Sequence, residues 1–272
     1  SITRTTGALT AAPGGAVATG SQPISMTVNP AGTFTYSVDA GSGSLSGFSI
    51  DPSTGALTPI PGSPFAAGSN PTHVMFTPSG AFAYVTNQNG SSISAYAVDA
   101  QTGVLTEIQG SPFATDGAPL AETVNPAGTL LYVANATANA TVFSINQLTG
   151  ALTPIAGSPF AAAGNPYGFV SVAINPAGTF AYLGTGNPGQ LLSFGIDNVT
   201  GAMTFIPANS YGNVGSNYMT FNSTGTLGYV ANAWYVQFSV VRVDPITGAL
   251  TDLPGSPYYA GARPFDLGVV AP

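Results

Sequence analysis

PTHVMFTPSGAFAYVTNQNGSSISAYAVDAQTGVLTEIQGSPFATDGA, residues 71–118, holds four short runs of β-forming residues separated by turn residues. The first, residues 73–76, ends at Pro78-Ser-Gly80. The second is residues 82–85 and the third residues 93–98. The fourth, residues 104–108, is followed by Gly110-Ser-Pro-Phe113. Runs of four to six such residues bounded by Gly, Pro, Asn and Asp are the mark of strands. No part of the chain sustains a 3.6-residue apolar period, so almost no helix is expected.

The same pattern recurs along the whole chain. Thr-Gly-Ala-Leu-Thr or a near variant occurs six times, with glycines at Gly7, Gly55, Gly103, Gly150, Gly201 and Gly248. Pro-Ala-Gly-Thr-Phe or a relative occurs five times, at Gly32, Gly80, Gly128, Gly178 and Gly225. Gly-Ser-Pro-Phe stands at 62–65, 110–113 and 157–160, with Tyr258 closing the variant at 255–258. Four strands in roughly 40–50 residues is the pattern of a β-propeller blade. In Asp51-Pro-Ser-Thr-Gly55 the carboxylate can accept from the backbone two residues on, while the glycine takes positive φ. Asp99, Asp197 and Asp244 repeat this residue, and Asn146 replaces it once.

The expected fold is all-β, a single β-propeller domain over 1–272 with four-stranded blades. Five complete repeats run approximately 23–70, 71–118, 119–168, 169–216 and 217–263. A sixth blade is split between 264–272 and 1–22, an arrangement that closes a ring and removes free edges. The section equivalent to Ala31–Phe48 has no counterpart in that split blade. Either those residues precede Ser1 in a longer chain, or a neighbouring molecule supplies them by strand donation. Ser1, Ile2, Val269 and Val270 would line such a joint.

Composition narrows the chemistry. The 272 residues include 35 Gly and 23 Pro but only three Lys or Arg and ten Asp or Glu, for a net charge of −7. Three cations cannot neutralise a phosphate backbone, so nucleic-acid binding is excluded. The absence of Cys excludes disulfides and thiolate metal sites, and a single His excludes a His-rich one. No Asp-x-Asp-x-Asp loop offers a calcium site. No metal or other cofactor is expected. No apolar run approaches the length that spans a bilayer. The start at Ser1, the lack of Lys and the abundance of Ser, Thr, Asn and Gly read as a mature, exported chain.

Phe82-Ala-Tyr-Val-Thr-Asn87, residues 93–99, Thr102-Gly-Val-Leu-Thr106 and Pro71-Thr-His-Val74 together resemble the lactonase-like β-propellers, the YVTN-repeat or 6-phosphogluconolactonase-like family. The resemblance covers essentially the whole chain. It implies a propeller that is typically seven-bladed, against the six counted from the repeats. Its enzymes open or form lactones with His, Glu and Arg side chains around a central channel. Here His73 is the only His, Glu107 and Glu122 are the only Glu, and Arg242 and Arg263 are the only Arg beyond the N-terminal hairpin.

The one catalytic constellation to weigh is His73 with Glu122. On the first strand of each blade, one face reads Met26/Val28, Val74/Phe76, Val172/Ile174 and Met219/Phe221, but Glu122/Val124 in the third. The other face carries Ser25, His73, Ala121, Ser171 and Tyr218. If opposite faces of adjacent blades meet, His73 and Glu122 share an interface and could act as acid and base. The alternative is a structural pair lining a narrow channel. Arg263 could hold an anionic ligand. Of the adjacent Trp234 and Tyr235, one should be exposed and able to stack on a sugar or a neighbouring subunit. Asn89, Asn135, Asn139, Asn198 and Asn222 begin Asn-x-Ser/Thr triplets.

Three functional readings follow. A surface with 5% charged residues and no Lys to guard its edges favours self-association. With the incomplete blade, it leads to a non-catalytic extracellular or cell-surface module, structural or adhesive, that assembles into a filament. The second reading is a lactonase-like hydrolase working in the central channel. The third is a propeller that binds glycan at loop aromatics.

Overall fold

The structure, a computed structural model, describes residues 10–186, 189–212, 217–232 and 235–260. Among them are five sheets of antiparallel strands in sequence order and no α-helix; one 3-10 turn spans Pro207–Asn209. The first blade holds β1 (Pro23–Val28), β2 (Phe34–Asp39), β3 (Ser44–Ile50), β4 (Leu57–Pro59) and β5 (Phe65–Ala66). The second holds β6 (Pro71–Phe76), β7 (Phe82–Asn87), β8 (Ser92–Val98), β9 (Leu105–Glu107) and β10 (Phe113–Ala114). The third holds β11 (Pro119–Val124), β12 (Leu130–Asn135), β13 (Asn139–Ile145), β14 (Leu152–Pro154) and β15 (Phe160–Ala161). The fourth holds β16 (Phe169–Ile174), β17 (Phe180–Thr185), β18 (Leu191–Ile196) and β19 (Met203–Phe205). The fifth holds β20 (Asn217–Phe221), β21 (Leu227–Asn232), β22 (Gln237–Val243), β23 (Leu250–Asp252) and β24 (Tyr258–Tyr259). The fold is all-β and of propeller class. Five blades are described where the repeats gave six; the split sixth falls on residues outside the described set.

The expected fourth strand is in fact broken. Gly-Ser-Pro-Phe does not trail it; it interrupts it. In four blades a three-residue segment pairs with one half of the third strand and a two-residue segment with the other half. The Ser–Pro bond between them is cis. The serine hydroxyl fills the gap in the ladder, where Ser63, Ser111, Ser158 and Ser256 accept from the N–H of Gly47, Ala95, Val142 and Val240 at 2.9–3.0 Å. A buried strand N–H left without an acceptor is costly, which gives the motif its cause. The fourth blade lacks the motif. There the 3-10 turn takes over, with Ser193 donating to the Asn209 carbonyl and Tyr211 bridging to Leu191.

The chain divides into two compact units, Ser1–Phe113 with Thr149–Ala151, and Ala114–Leu148 with Leu152–Pro272. In the first unit, β6 lies beside β1 and β2. Phe34, Tyr36 and Val38 of β2 bury against Val74 and Phe76 of β6 and Val85 of β7. In the second, Tyr132 and Ala134 of β12 meet Phe169 and Val172 of β16 and Leu183 of β17. Tyr182 of β17 likewise meets Met219 of β20 and Val230 of β21. Within each unit, one face of a blade therefore packs on the opposite face of the next. Each fully buried ring of this kind stabilises by roughly 1.5–3 kcal/mol.

A polar latch reinforces the stacking. The second-strand tyrosine of one blade donates its hydroxyl to the carbonyl of the Thr-Gly-x-Leu/Met-Thr glycine in the next. Tyr36 bonds to Gly103 and Tyr84 to Gly150 in the first unit. Tyr132 bonds to Gly201 and Tyr182 to Gly248 in the second. All four tyrosines are fully buried, and burial pushes their hydroxyl pKa values up. The face of β1 is an exception to the packing rule. Met26 is 65% exposed and Val28 is also open, although their counterparts Val74 and Phe76 are buried.

Candidate functional site

First strands set the candidate positions. His73 lies on β6 opposite Thr86, half-buried. Glu122 lies on β11 opposite Val133, 1% exposed, in the place that Val74, Val172 and Met219 fill in other blades. A carboxylate there replaces the apolar residue of the other blades, and burying one is expensive. The two residues stand on opposite faces of their sheets, as the sequence reading expects, and belong to different units.

Other candidates resolve differently. Tyr235 is 58% exposed in the loop joining β21 to β22. Trp234, Arg263, Ser1, Ile2, Val269 and Val270 lie outside the described residues. Asn135 is fully buried, with its amide bonded to Asn139 and Thr141, so it is not an accessible acceptor for a glycan. Asn222 uses its side chain to brace its own turn through Thr224, Thr226 and Leu227. Asn139 bonds to Asp116 at 2.6 Å. Asn89 and Asn198 are exposed.

Most acids are turn residues. Asp51, Asp99, Asp197 and Asp244 each accept two backbone N–H groups at 2.8–2.9 Å. The Ser53 hydroxyl and the backbone and side chain of Thr54 bring the Asp51 carboxyl down to about 2. The Thr102, Thr200 and Thr247 N–H groups lower the other three. Among the described residues no three of His, Cys, Asp and Glu gather where they could hold a metal, and no helix is long and apolar enough to cross a membrane.

Sequence reasoning missed two sets of residues. The latch tyrosines read only as β-formers. The polar residue ending each second strand was also unassigned. In the first blade Asp39 accepts from the Gly20 N–H and the Ser37 and Ser46 hydroxyls. In the second, Asn87 accepts from the Gly68 N–H at 3.0 Å. A Cβ on Gly68 would sit 2.5 Å from the Asn87 side chain. The third blade nevertheless carries Asp116 at that place. Its N–H turns to Thr141 instead, and the buried Asn135 Oδ1 is left with no donor.

Residues 60–167 match the family model described as Lactonase, 7-bladed beta-propeller. No protein of curated function matches the sequence. Among solved structures, a candidate 6-phosphogluconolactonase from Bacteroides uniformis superposes with a TM-score of 0.79 at 16% identity, over 91% of this chain and 73% of that one. A second, from Bacteroides fragilis, gives 0.76 at 20% identity, over 90% and 72%. The periplasmic gluconolactonase of Pseudomonas aeruginosa gives 0.75 at 17% identity, over 92% and 73%. These matches overturn the expectation of a non-catalytic structural or adhesive module that assembles into a filament; they favour the lactonase-like alternative. Sparse surface charge and an open strand face do not argue against catalysis. The resemblance carried by the YVTN and Thr-Gly-x-Leu-Thr strings is borne out: residues 60–167 match the lactonase β-propeller model.

Proposed function

We propose that the protein hydrolyses a lactone. The observation that carries this reading is the family match over residues 60–167, which contains both His73 and Glu122. Hydrolysis adds water to the lactone carbonyl and breaks the ring C–O bond. The water gives up a proton and the leaving ring oxygen takes one, yielding a hydroxy acid. His73 and Glu122 are the candidates for moving those protons, and each is testable alone.

Charge favours an unphosphorylated substrate. With no Lys and three Arg in the whole chain, and a net charge of −7, a phosphate group has little to hold it. Glucono-1,5-lactone is therefore expected to be hydrolysed faster than its 6-phosphate. The same proposal places the protein outside the cytoplasm, on the scarcity of Lys and of charge; cell fractionation tests that.

The test is ring opening followed by pH-stat, with enzyme-free buffer as reference. Glu122→Gln and His73→Ala should each lower kcat by roughly 10²-fold or more. Native rates equal to buffer for both lactones, or variants as active as the native chain, would remove the reading or these residues from it.

A further inference from the structure

In the second unit, the turn joining β11 to β12 and the hairpin joining β18 to β19 leave a cleft of about 220 Å³ between them. Asn125, Pro126, Leu130, Tyr132, Ile196 and Asn198 line it. One residue sets this joint apart from three others. In three blades a phenylalanine opens the second strand and lies directly under the hairpin glycine of the next repeat. A Cβ on Gly103, Gly150 or Gly248 would come within 2.4–2.7 Å of the rings of Phe34, Phe82 and Phe180 respectively. The third blade has the smaller Leu130 there, and a Cβ on Gly201 would come within 2.7 Å of its methyl. The latch is also longer at this joint. Tyr132 to Gly201 is 3.3 Å, against 2.8 Å for Tyr84 to Gly150 and 2.9 Å for Tyr182 to Gly248.

The lining specifies what fits. Leu130, Ile196 and Pro126 offer an apolar floor. The Asn125 amide is already committed, accepting from Thr129 and Leu130 and donating to the Thr129 hydroxyl. It is wall, not reader. The Asn198 amide is different. It is exposed and makes no hydrogen bond among the described residues, and it replaces Pro52, Ala100, Gln147 and Pro245 of the other repeats. It brings both a donor and an acceptor to the rim. The Tyr132 hydroxyl is fully buried and committed to Gly201, so it is wall as well. No charged side chain is among the lining residues, and neighbouring Asp197 is occupied by the Val199 and Thr200 N–H groups. An anion finds no cation there, and a bare hydrocarbon would leave the Asn198 amide unanswered.

We propose that this cleft binds a neutral monosaccharide, one face of its ring on Leu130 and Ile196 and its hydroxyls on the Asn198 amide. The proposal is independent of lactone hydrolysis. It concerns a joint between two consecutive blades of the second unit, and neither His73 nor Glu122 is among its lining residues. A ligand of about a dozen heavy atoms in a shallow site should bind with a Kd on the order of millimolar.

The experiment is titration of the intact chain with D-glucose and with myo-inositol, followed by ligand-observed NMR, with sodium gluconate as the charged comparison. D-glucose should give a saturable signal, and gluconate a weaker one. Leu130→Phe, which restores the residue of three other blades, should weaken binding at least tenfold while keeping the fold and the rate of lactone hydrolysis. Asn198→Ala, on an exposed loop, should weaken it several-fold and serves if Leu130→Phe disturbs folding. No saturation by either polyol up to about 100 mM, or unchanged binding in both variants, overturns the proposal. A loss of lactone hydrolysis in His73→Ala with sugar binding intact would separate the two readings.

Discussion

The Tyr132 hydroxyl donates to the Gly201 carbonyl across 3.3 Å, joining two sheets of the second unit whose partners lie 69 residues apart in sequence. Its counterpart from Tyr182 to Gly248 spans 2.9 Å. Both acceptors sit in buried surroundings, where an unanswered carbonyl is costly. Tyr182→Phe should therefore lower stability by about 1 kcal/mol, and Tyr132→Phe by less. Urea unfolding of both variants checks this; an equal or reversed order would contradict it.

The hairpin glycines carry two separate demands, and substitution can tell them apart. Gly103 has φ +74°, and a Cβ there would meet Ile60 and Phe34 at 2.7 Å. Gly32 has nearly the same φ, +71°, but open space around it. Gly32→Ala should cost about 1 kcal/mol, the left-handed backbone term alone. Gly103→Ala should cost at least roughly 2 kcal/mol more, as an overpacked core does. Equal losses in thermal unfolding would mean that the neighbouring rings yield freely.

Strong acid should loosen the hairpins. Asp51, Asp99, Asp197 and Asp244 have folded-state pKa values below their unfolded ones. A depressed carboxyl contributes stability that is fully present above its unfolded pKa, near 3.9, and is lost as pH falls through the folded one. For Asp51 that lower limit is about 2. The unfolding midpoint should thus fall between pH 4 and pH 2, and less steeply in Asp51→Asn. An identical slope in that variant would remove Asp51 from the account.

Asp116→Gly should stabilise the third blade. It removes the side chain that keeps the loop away from Asn135, so that the backbone N–H can reach the buried Oδ1 as Gly68 reaches Asn87. Satisfying a buried acceptor outweighs both the added flexibility of glycine and the loss of the exposed Asn139–Asp116 hydrogen bond, for a net gain of about 0.5 kcal/mol. A lower urea midpoint would show that water already serves Asn135.

Much of this architecture is legible in the sequence because turns are local. The spacing of Asp99 and Gly103 dictates an Asx turn whatever surrounds it, and the described structure has it. Strands β6 to β8 fall where the runs around His73, Phe82 and Ile93 place them. What stays hidden depends on distant partners. Ser111 looks like a turn residue until Ala95 is seen to need an acceptor. Tyr84 looks like any strand tyrosine until Gly150 arrives. Glu122 stood out because it broke an apolar pattern. Leu130 broke the Phe-x-Tyr pattern just as plainly, but one apolar residue for another carries no warning about space. The functional class was misread for a related reason: surface composition reports on solvent, and the reaction is decided by a few inward groups.

Each tyrosine latch runs forward along the chain, reaching 66 to 69 residues ahead and never back. On a ribosome adding about 5–20 residues per second, a newly emerged sheet would wait roughly 3–14 s for its clasp to be synthesised. Until then its aromatic flank faces the cytosol or the export machinery, and a chaperone has that interval in which to cover it.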